Sequence, residues 1–421
     1  MQVDVVVIGA GPAGVSAAVH LHRAGRHVAV IDKASFPRDK ICGDGLTASA
    51  LRELVDLGLD PTGLPSWRRI DHVWVRSPSG HSVDFPMPVG RGEYAAVVRR
   101  NELDAALVDL ARAQGVVIHE RTPLDSIEQH ATGVVIRSGD LEIEASYVIA
   151  ADGMWSRTRK LLDAGTEGYL GDWHAFRQYV RDVTGPAKDD IQICFEPDFL
   201  PGYFWAFPMG DGAVNIGFGI TRGGAHSTQD MKALWPDLLA RPHIRDLLGP
   251  DAVAEGPHRA WPIPARIDEV TASSGRTLFV GDAVAACDPM SGEGIGQALL
   301  TGRFAADAIV ATGSDPAKVR ARYEQILDRS LRPDHKMSLL LIRALRHRKG
   351  ARSAVRVAGA SAWTRRNFGR WLFEDYPRAI LVTPRRWTRT MFSQPGARFA
   401  RAREPSPTVT RGSTRTSPPT P

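Results

Sequence analysis

Three glycines and an acid open the chain at a spacing with a chemical use. Gly9, Gly11 and Gly14 follow the apolar run Val5 to Ile8 in a G-x-G-x-x-G pattern, and Asp32 ends a second apolar run, His27 to Ile31. Gly9 permits a tight turn, Gly11 lets backbone N–H groups approach a pyrophosphate, and Gly14 allows a helix to pack closely, while that helix's N-terminus adds a positive dipole end. Asp32 is placed to accept hydrogen bonds from a ribose 2′-hydroxyl, so the stretch reads as a dinucleotide cradle. A second anion cradle stands far along the chain, where Thr277 to Val280 leads into Gly281-Asp282 and then Gly292, Gly294 and Gly296 before a long helical pattern. Its plain alternative is a strained turn without a ligand.

Other residues between the two cradles carry chemistry of their own. Cys42 lies in the loop FPRDKICGDGL beside Lys40, Gly43 and Gly45. It is either a small thiol buried in a turn or a cysteine whose pKa and position matter to a redox centre. Arg100 starts a helix, where a cation is electrostatically disfavoured; it is an ordinary exposed cation or the partner of an anionic ligand. Asp152 ends a strand just before a helix, a place where Asp serves as an N-cap. Tyr203, Trp205 and Phe207 alternate along a strand and share one face, which suits sheet core or a planar aromatic wall.

The elements that must position these groups follow from periodicity. The first cradle is a βαβ unit. Thr47 to Leu57 reads as a helix, and Asp71 to Ser77 with His81 to Phe85 as a hairpin about Pro78-Ser79-Gly80. The helix from Arg100 puts Leu103, Ala106, Leu107 and Leu110 on one face and stops at Gly115. Short strands are expected at Val116 to Ile118, Leu124 to Glu128, Gly133 to Ile136 and Tyr147 to Ala150. From Pro316, behind an Asp315 N-cap, helices are expected to about Phe392. The last stretch, 396–421, has no apolar periodicity and reads as a disordered tail.

Composition sets the bounds. At 421 residues and 43% hydrophobic content the chain suits two domains or one with large insertions. Cys42, Cys194 and Cys287 are too few for a disulfide scaffold and too scattered for a C-x-x-C metal site, so no metal is expected and a reduced, cytoplasmic setting fits. There is no signal-peptide pattern and no run of 18 apolar residues. The net charge of +6 is uneven: Arg343 to Arg389 holds thirteen Lys and Arg against Glu374 and Asp375. Trp363, Phe368, Trp371, Leu372, Phe373 and Trp387 interleave with these cations, which suits a solvated helical cap or an anionic membrane surface. No nucleic-acid module accompanies the charge, so no nucleic-acid partner is expected.

The order GAGPAG with Asp32, then Arg100, DGMWSRTRK and VGDAVAACDPMSGEGI resembles the FAD-binding flavoproteins that include aromatic hydroxylases, halogenases and geranylgeranyl reductases. The resemblance implies a Rossmann-like α/β FAD-binding domain of the aromatic-hydroxylase type, with an inserted antiparallel-sheet substrate domain and a C-terminal helical region. It puts the FAD-binding domain at 1–160 and 270–315, with 60–95 contributing to the substrate domain at 161–269, then a helical, basic region at 316–395. It further implies that Ala13 approaches the pyrophosphate and Asp32 the ribose, that Arg100, the backbone near Leu124 and Asp282 hold ribityl and diphosphate groups, and that Gly294 and Ile295 pass beside the isoalloxazine. In the DG motif Asp152, Gly153, Ser156 and Arg159 match, whereas Met154 and Trp155 depart from the usual small and amide residues.

Two stretches resemble the geranylgeranyl reductase branch: PRDKICGDGL, with Cys42, Gly43 and Gly45 beside the flavin ring, and GYFWAFPMGDGAVNIGFG, with Tyr203, Trp205, Phe207, Pro208, Gly217 and Gly219 at the substrate. The resemblance spans Val3 to Ile309. It implies a reductase that saturates isoprenoid double bonds by hydride transfer from reduced FAD, with Cys42 as the catalytic proton-relay or positioning group. The substrate would be a prenyl lipid, a prenyl diphosphate or an isoprenoid quinone, met at the inner face of the cell membrane. The alternative on the same fold is a monooxygenase or halogenase, and a third reading is a flavin-bound membrane adaptor without turnover. With no second G-x-G-x-x-G cradle, NAD(P)H binds transiently or a reduced protein is the electron donor.

Overall fold

The computed structural model describes residues 1–88, 92–313, 315–387 and 396–398. The apolar run at the N-terminus forms the strand Gln2–Ile8, and Val5, Val6 and Val7 are fully buried. A run buried on both faces belongs in the middle of a parallel sheet covered on each side. Gln2–Ile8 indeed pairs in parallel with Val28–Ile31 on one side and Leu141–Ala150 on the other; Val117–His119 and Thr277–Phe279 extend the sheet outward. The strand that leads into the distant glycine turn therefore lies two strands from the first glycine turn.

Helix packing then draws the two turns together. The first helix, Pro12–Arg23, crosses the long helix Ile295–Thr312 at very close range: a side chain on Gly302 would stand 2.1 Å from the Ala13 carbonyl oxygen. Ser16 Oγ donates to the Leu299 carbonyl at 2.7 Å across the same crossing. Residues nearly 300 positions apart thus form one structural unit.

A second, mostly antiparallel sheet stands over this layer. It runs from Trp173–Arg181 through Val214–Thr221, Tyr203–Pro208 and Ile191–Cys194 to the hairpin His72–Arg76 with Ser82–Pro86. One face packs under Met231–Ala240, around Phe176, Phe204 and Phe218. The other face turns toward the glycine turns.

Four C-terminal helices, Pro316–Arg329, Leu331–Leu345, Arg348–Ala358 and Ala362–Leu372, close the remaining side. The helical pattern expected to reach Phe392 ends at Leu372. Among the described residues after it come only single tight turns at Ile380–Val382 and Pro384–Arg386, because Pro377 and Pro384 lack the N–H that a helix needs. Residues 388–395 lie outside the described residues. So does the tail expected to be disordered, apart from 396–398, where Ala397 bridges Glu93 and the Gly396 N–H donates to Asp375 Oδ1 at 2.9 Å.

Candidate active site

A cavity of about 670 Å³ is lined by both glycine turns, the Cys42 loop, the aromatic strand and the C-terminal helices. Gly9 sits at φ +104°, and a Cβ there would stand 2.4 Å from the Ala151 carbonyl oxygen, so only glycine makes this turn. Gly11 is the N-cap of the first helix and offers no side-chain cap, which leaves the helix's first N–H groups facing the cavity beside Ala13. Gly14 lies off the cavity and packs against Gly9, where a Cβ would meet the Gly9 carbonyl at 1.8 Å. Asp32 is buried and fastens the turn: Oδ2 accepts the Ala10 N–H at 2.7 Å and Oδ1 the Ala34 N–H at 2.8 Å. Each oxygen keeps a further lone pair for a hydroxyl in the cavity.

The second turn presents Asp282, Gly294 and Ile295 to the same cavity. Gly294 is the N-cap of the 295–312 helix and offers no side chain of its own, while Glu293 beside it accepts the Gly296 N–H. Asp282 Oδ2 lies 3.6 Å from Lys40 Nζ, and that ammonium sits 3.8 Å above the Trp261 ring. Burial pulls the Lys40 ammonium down, opposed by the Asp282 charge.

Arg100 is buried at its helix start and clamps Asp104, one turn on, through Nε and Nη2 at 2.8 Å each. The cation thus has a protein carboxylate as partner while still lining the cavity. Leu124 lies in the loop before Ser126–Gln129, two residues short of the strand expected there, and its carbonyl accepts Arg157 Nε at 2.6 Å. Asp152 is not the N-cap of the following helix. Ser156 is, accepting the Arg159 N–H at 3.0 Å, while Asp152 braces Ser156 Oγ at 2.6 Å and the Thr158 N–H at 2.8 Å. Arg159 donates to the carbonyls of Thr271 and Ala283, tying the DG turn to the second cradle.

Cys42 is half-buried on the cavity wall. Burial pushes its thiol up and the nearby Arg100 guanidinium opposes the rise, so at neutral pH it is a neutral S–H. One side chain, Asn215, joins this loop to the aromatic strand. Its Nδ2 donates to the Cys42 carbonyl at 2.9 Å and to Asp44 Oδ2 at 2.8 Å, and its Oδ1 accepts Trp205 Nε1 at 3.1 Å. Asp44 also accepts from Tyr179 Oη at 2.6 Å, while its Oδ1 has no partner among the described residues. Burial pushes the Asp44 carboxyl up to about 6, against the pull of Tyr179, Arg177 and Asn215.

Tyr203, Trp205 and Phe207 all face the cavity, with successive ring centroids 6.3 and 6.4 Å apart. Tyr203 Oη donates to the Ser291 carbonyl at 2.7 Å, linking the wall to the second glycine turn. Gly43 and Gly45 lie against the Phe207 ring, where a Cβ would come within 3.4 and 3.1 Å of it. Pro208 and Gly219 do not line the cavity. Gly217 acts indirectly: it pairs with Trp205 in register, and a Cβ there would sit 2.2 Å from the indole. Sequence reasoning missed Asp44, Asn215, Trp261 and Glu293. Asn215 carried a usable signal, as the one polar residue between Ala213 and Thr221 in an otherwise apolar strand.

Comparison with known proteins bears on this site. A family model described as an FAD binding domain matches residues 2–303. The menaquinone reductase of Mycolicibacterium smegmatis is 34% identical over 339 residues, which cover 74% of this chain and 77% of that protein. The chain is an FAD-dependent oxidoreductase of the geranylgeranyl reductase family. The digeranylgeranylglycerophospholipid reductase of Methanocella arvoryzae is 26% identical to this flavoprotein, over 80% of this chain and 86% of its own length. In fold, the flavoprotein is similar to a geranylgeranyl bacteriochlorophyll reductase-like protein from Thermoplasma acidophilum, with a TM-score of 0.73, 20% identity and coverage of 91% and 99% of the two chains. The residues present fit FAD. Two helix N-termini face one cavity, the first uncapped and the second with its Gly296 N–H held by Glu293 Oε1, and beside the first a Cβ on Gly11 would meet nothing closer than Arg38 Nη2 at 3.4 Å.

Proposed function

We propose that this flavoprotein saturates C=C bonds of an isoprenoid chain carried by a prenyl lipid, a prenyl diphosphate or an isoprenoid quinone. One observation carries the reading: the cavity that begins at the glycine cradles continues past Cys42 and the aromatic wall to an apolar end lined by Val75, Phe85, Leu341, Leu345, Val355 and Phe368. Such a channel suits a long hydrocarbon laid against a planar ring. Bound FAD, once reduced, supplies the hydride. Gly9, Gly11, Ala13 and Asp32 would hold its AMP half, and Arg100, the backbone near Leu124, Asp282, Gly294 and Ile295 the remainder.

Within this reading the protein residues orient and exclude water. Tyr203, Trp205 and Phe207 hold the alkene flat, and the neutral Cys42 thiol stands beside the reacting carbons as proton relay or positioning group. Residues 1–160 with 270–315 form the cofactor side, and 60–95 with 161–269 the substrate side. NAD(P)H or a reduced protein recharges the flavin.

Membrane contact belongs to the same proposal. Among the described residues no helix is long and apolar enough to cross a membrane. The helices that close the apolar end of the cavity carry Arg343, Arg346, Arg348, Lys349, Arg352 and Arg356 on their outer side, all exposed. Leu340, Val357, Trp363, Leu381, Val382 and Trp387 are exposed beside them. Cations with protruding apolar side chains suit an anionic leaflet at the cytoplasmic face, from which a prenyl chain enters the cavity.

The deciding experiment is anaerobic. Chemically reduced holoenzyme is mixed with geranylgeranyl diphosphate, or with menaquinone whose ring is reoxidised before the mass is read, and flavin reoxidation with a two-hydrogen mass gain in the prenyl chain is expected. Reoxidation that requires O2 and adds one oxygen atom's mass would instead establish the monooxygenase alternative.

A further inference from the structure

Behind the second glycine turn, three carboxyl groups share one guanidinium. Arg378 Nε donates to Asp288 Oδ2 at 3.0 Å, and its Nη2 lies 3.7 Å from Glu374 Oε1. Glu293 is the third acid, its Oε1 accepting the Gly296 N–H at 2.5 Å. All four side chains are buried. Asp288 holds the direct ion pair and also accepts from Ser338 Oγ and the Met290 N–H. Among the described residues Glu374 accepts only from neutral donors, Gln297 Nε2 at 3.0 Å and Thr47 Oγ1 at 3.4 Å, besides its looser contact with Arg378. One cation cannot offset three buried anions, so at least one carboxyl stays protonated. Burial pushes both glutamates above the usual carboxylate range, and the charge of Glu293 adds to the rise at Glu374. Asp288, Asp334 and Arg100 also act on the pair, His335 borders the same small cavity as Glu374, and Arg52 Nη2 donates to the Glu374 carbonyl at 3.0 Å.

A second observation bears on the way to this cluster from solvent. A small cavity of about 10 Å³ is bordered by Asp288, Gln297, His335 and Glu374. That volume suits one water with polar partners. Among the described residues two side chains at its wall have unmet hydrogen-bonding atoms, Gln297 Oε1 and both ring nitrogens of His335, in residues only 7% and 5% exposed. On its far side His335 Nε2 lies 2.9 Å from Asp268 Oδ1, within ion-pair distance but not aligned as a hydrogen bond, and Asp268 is partly exposed. On its near side Glu293 lines the large cavity together with Cys42 and Tyr203.

We infer that Glu293 and Glu374 hold the proton consumed in each reduction, and that Asp268, His335 and a water in the small cavity return it from solvent. The inference rests on the reductase reading. Saturating one double bond adds a hydride, which brings its electron pair from the reduced flavin, and a proton. That proton leaves an O–H bond of the glutamate pair, whose electrons stay on oxygen, and the alkene π pair forms the new C–H bond. The pair is then one charge more negative until a solvent proton arrives through His335.

Infrared spectroscopy of the oxidised holoenzyme tests the store without any substrate. A protonated-carboxyl carbonyl band that shifts in D2O is expected at neutral pH, absent in Glu374→Gln and moved in Glu293→Gln. The store is overturned by a wild type without such a band, or by a band that both variants leave unchanged. Should one variant lose FAD, the other still decides the point. Kinetics test the route: His335→Gln should complete its first turnover at the wild-type rate and slow in later ones, on the order of 10²-fold. Equal later turnovers would overturn the route. If reduced enzyme fails to hydrogenate any prenyl substrate while the band behaves as expected, the reductase reading fails and the buried proton store stands.

Discussion

Cys42 stands where two constraints meet, the burial that keeps its thiol neutral and the Arg100 guanidinium that limits the rise. Replacing it with Ala should leave FAD bound, because the cysteine's backbone contact to Asn215 remains, while alkene saturation falls by roughly 10²- to 10⁴-fold. Flavin absorbance and product mass measured on one preparation check this; full activity per bound FAD would remove Cys42 from the chemistry. Asp44 makes a different prediction. Its carboxyl titrates near 6 in the folded protein against an ordinary 3.8, so the folded state holds this proton more tightly than the unfolded chain. Its contribution to stability is complete below about pH 4 and is lost as pH rises through 6, on the order of 3 kcal/mol in all, about half of it between pH 5 and 8. Asp44→Asn removes this dependence and can keep the Tyr179 bond through its amide oxygen. Urea unfolding at pH 5 and pH 8 should show a smaller loss in the variant, and equal losses would refute the assignment. The glycines and alternating aromatics were legible in sequence because a turn or a strand fixes their relation locally. Asp44 and Asn215 were not, since they meet across 171 positions and only the folded sheet brings them together.

Among the elements, the crossing of Pro12–Arg23 with Ile295–Thr312 matters most to the site. Gly302 lets the backbones touch, and an added methyl would overlap the Ala13 carbonyl. Gly302→Ala should therefore cost about 1–3 kcal/mol and weaken FAD retention, because Ala13 belongs to the first cradle. Thermal unfolding and flavin release on dilution measure the two effects, and an unchanged melting temperature would mean that the crossing has slack. The βαβ unit, the hairpin and the main helices were readable because each shows its own period and stop signal. The segment after Leu372 was not: its aromatic and basic residues keep a helical look, while Pro377 and Pro384 break the backbone.

For the whole molecule, the uneven charge has a direct test. Arg370 and Arg386 are engaged with Asp375 and Asp334, so reversing them would disturb the fold as well as the surface. Arg348, Arg352 and Arg356 are exposed, and no acid pairs with them among the described residues. Changing all three to Glu should lower binding to phosphatidylglycerol vesicles by roughly 100-fold or more, at about 1 kcal/mol per basic residue, with FAD content unchanged. Vesicle sedimentation at low and physiological salt reads this out, and unaltered binding would dismiss the membrane surface.

The joining of residues 1–32 with 277–312 also sets an order in time. A ribosome adds about 5–20 residues per second, so roughly 15 to 60 s separate the first glycine turn from the helix that completes its pocket. During that interval the nascent chain has half a cradle and no firm grip on its cofactor. FAD should therefore load only after the helix Ile295–Thr312 has emerged. A chain cut short before the long helix would be a flavoprotein in sequence only, left for proteolysis however well its first thirty residues had folded.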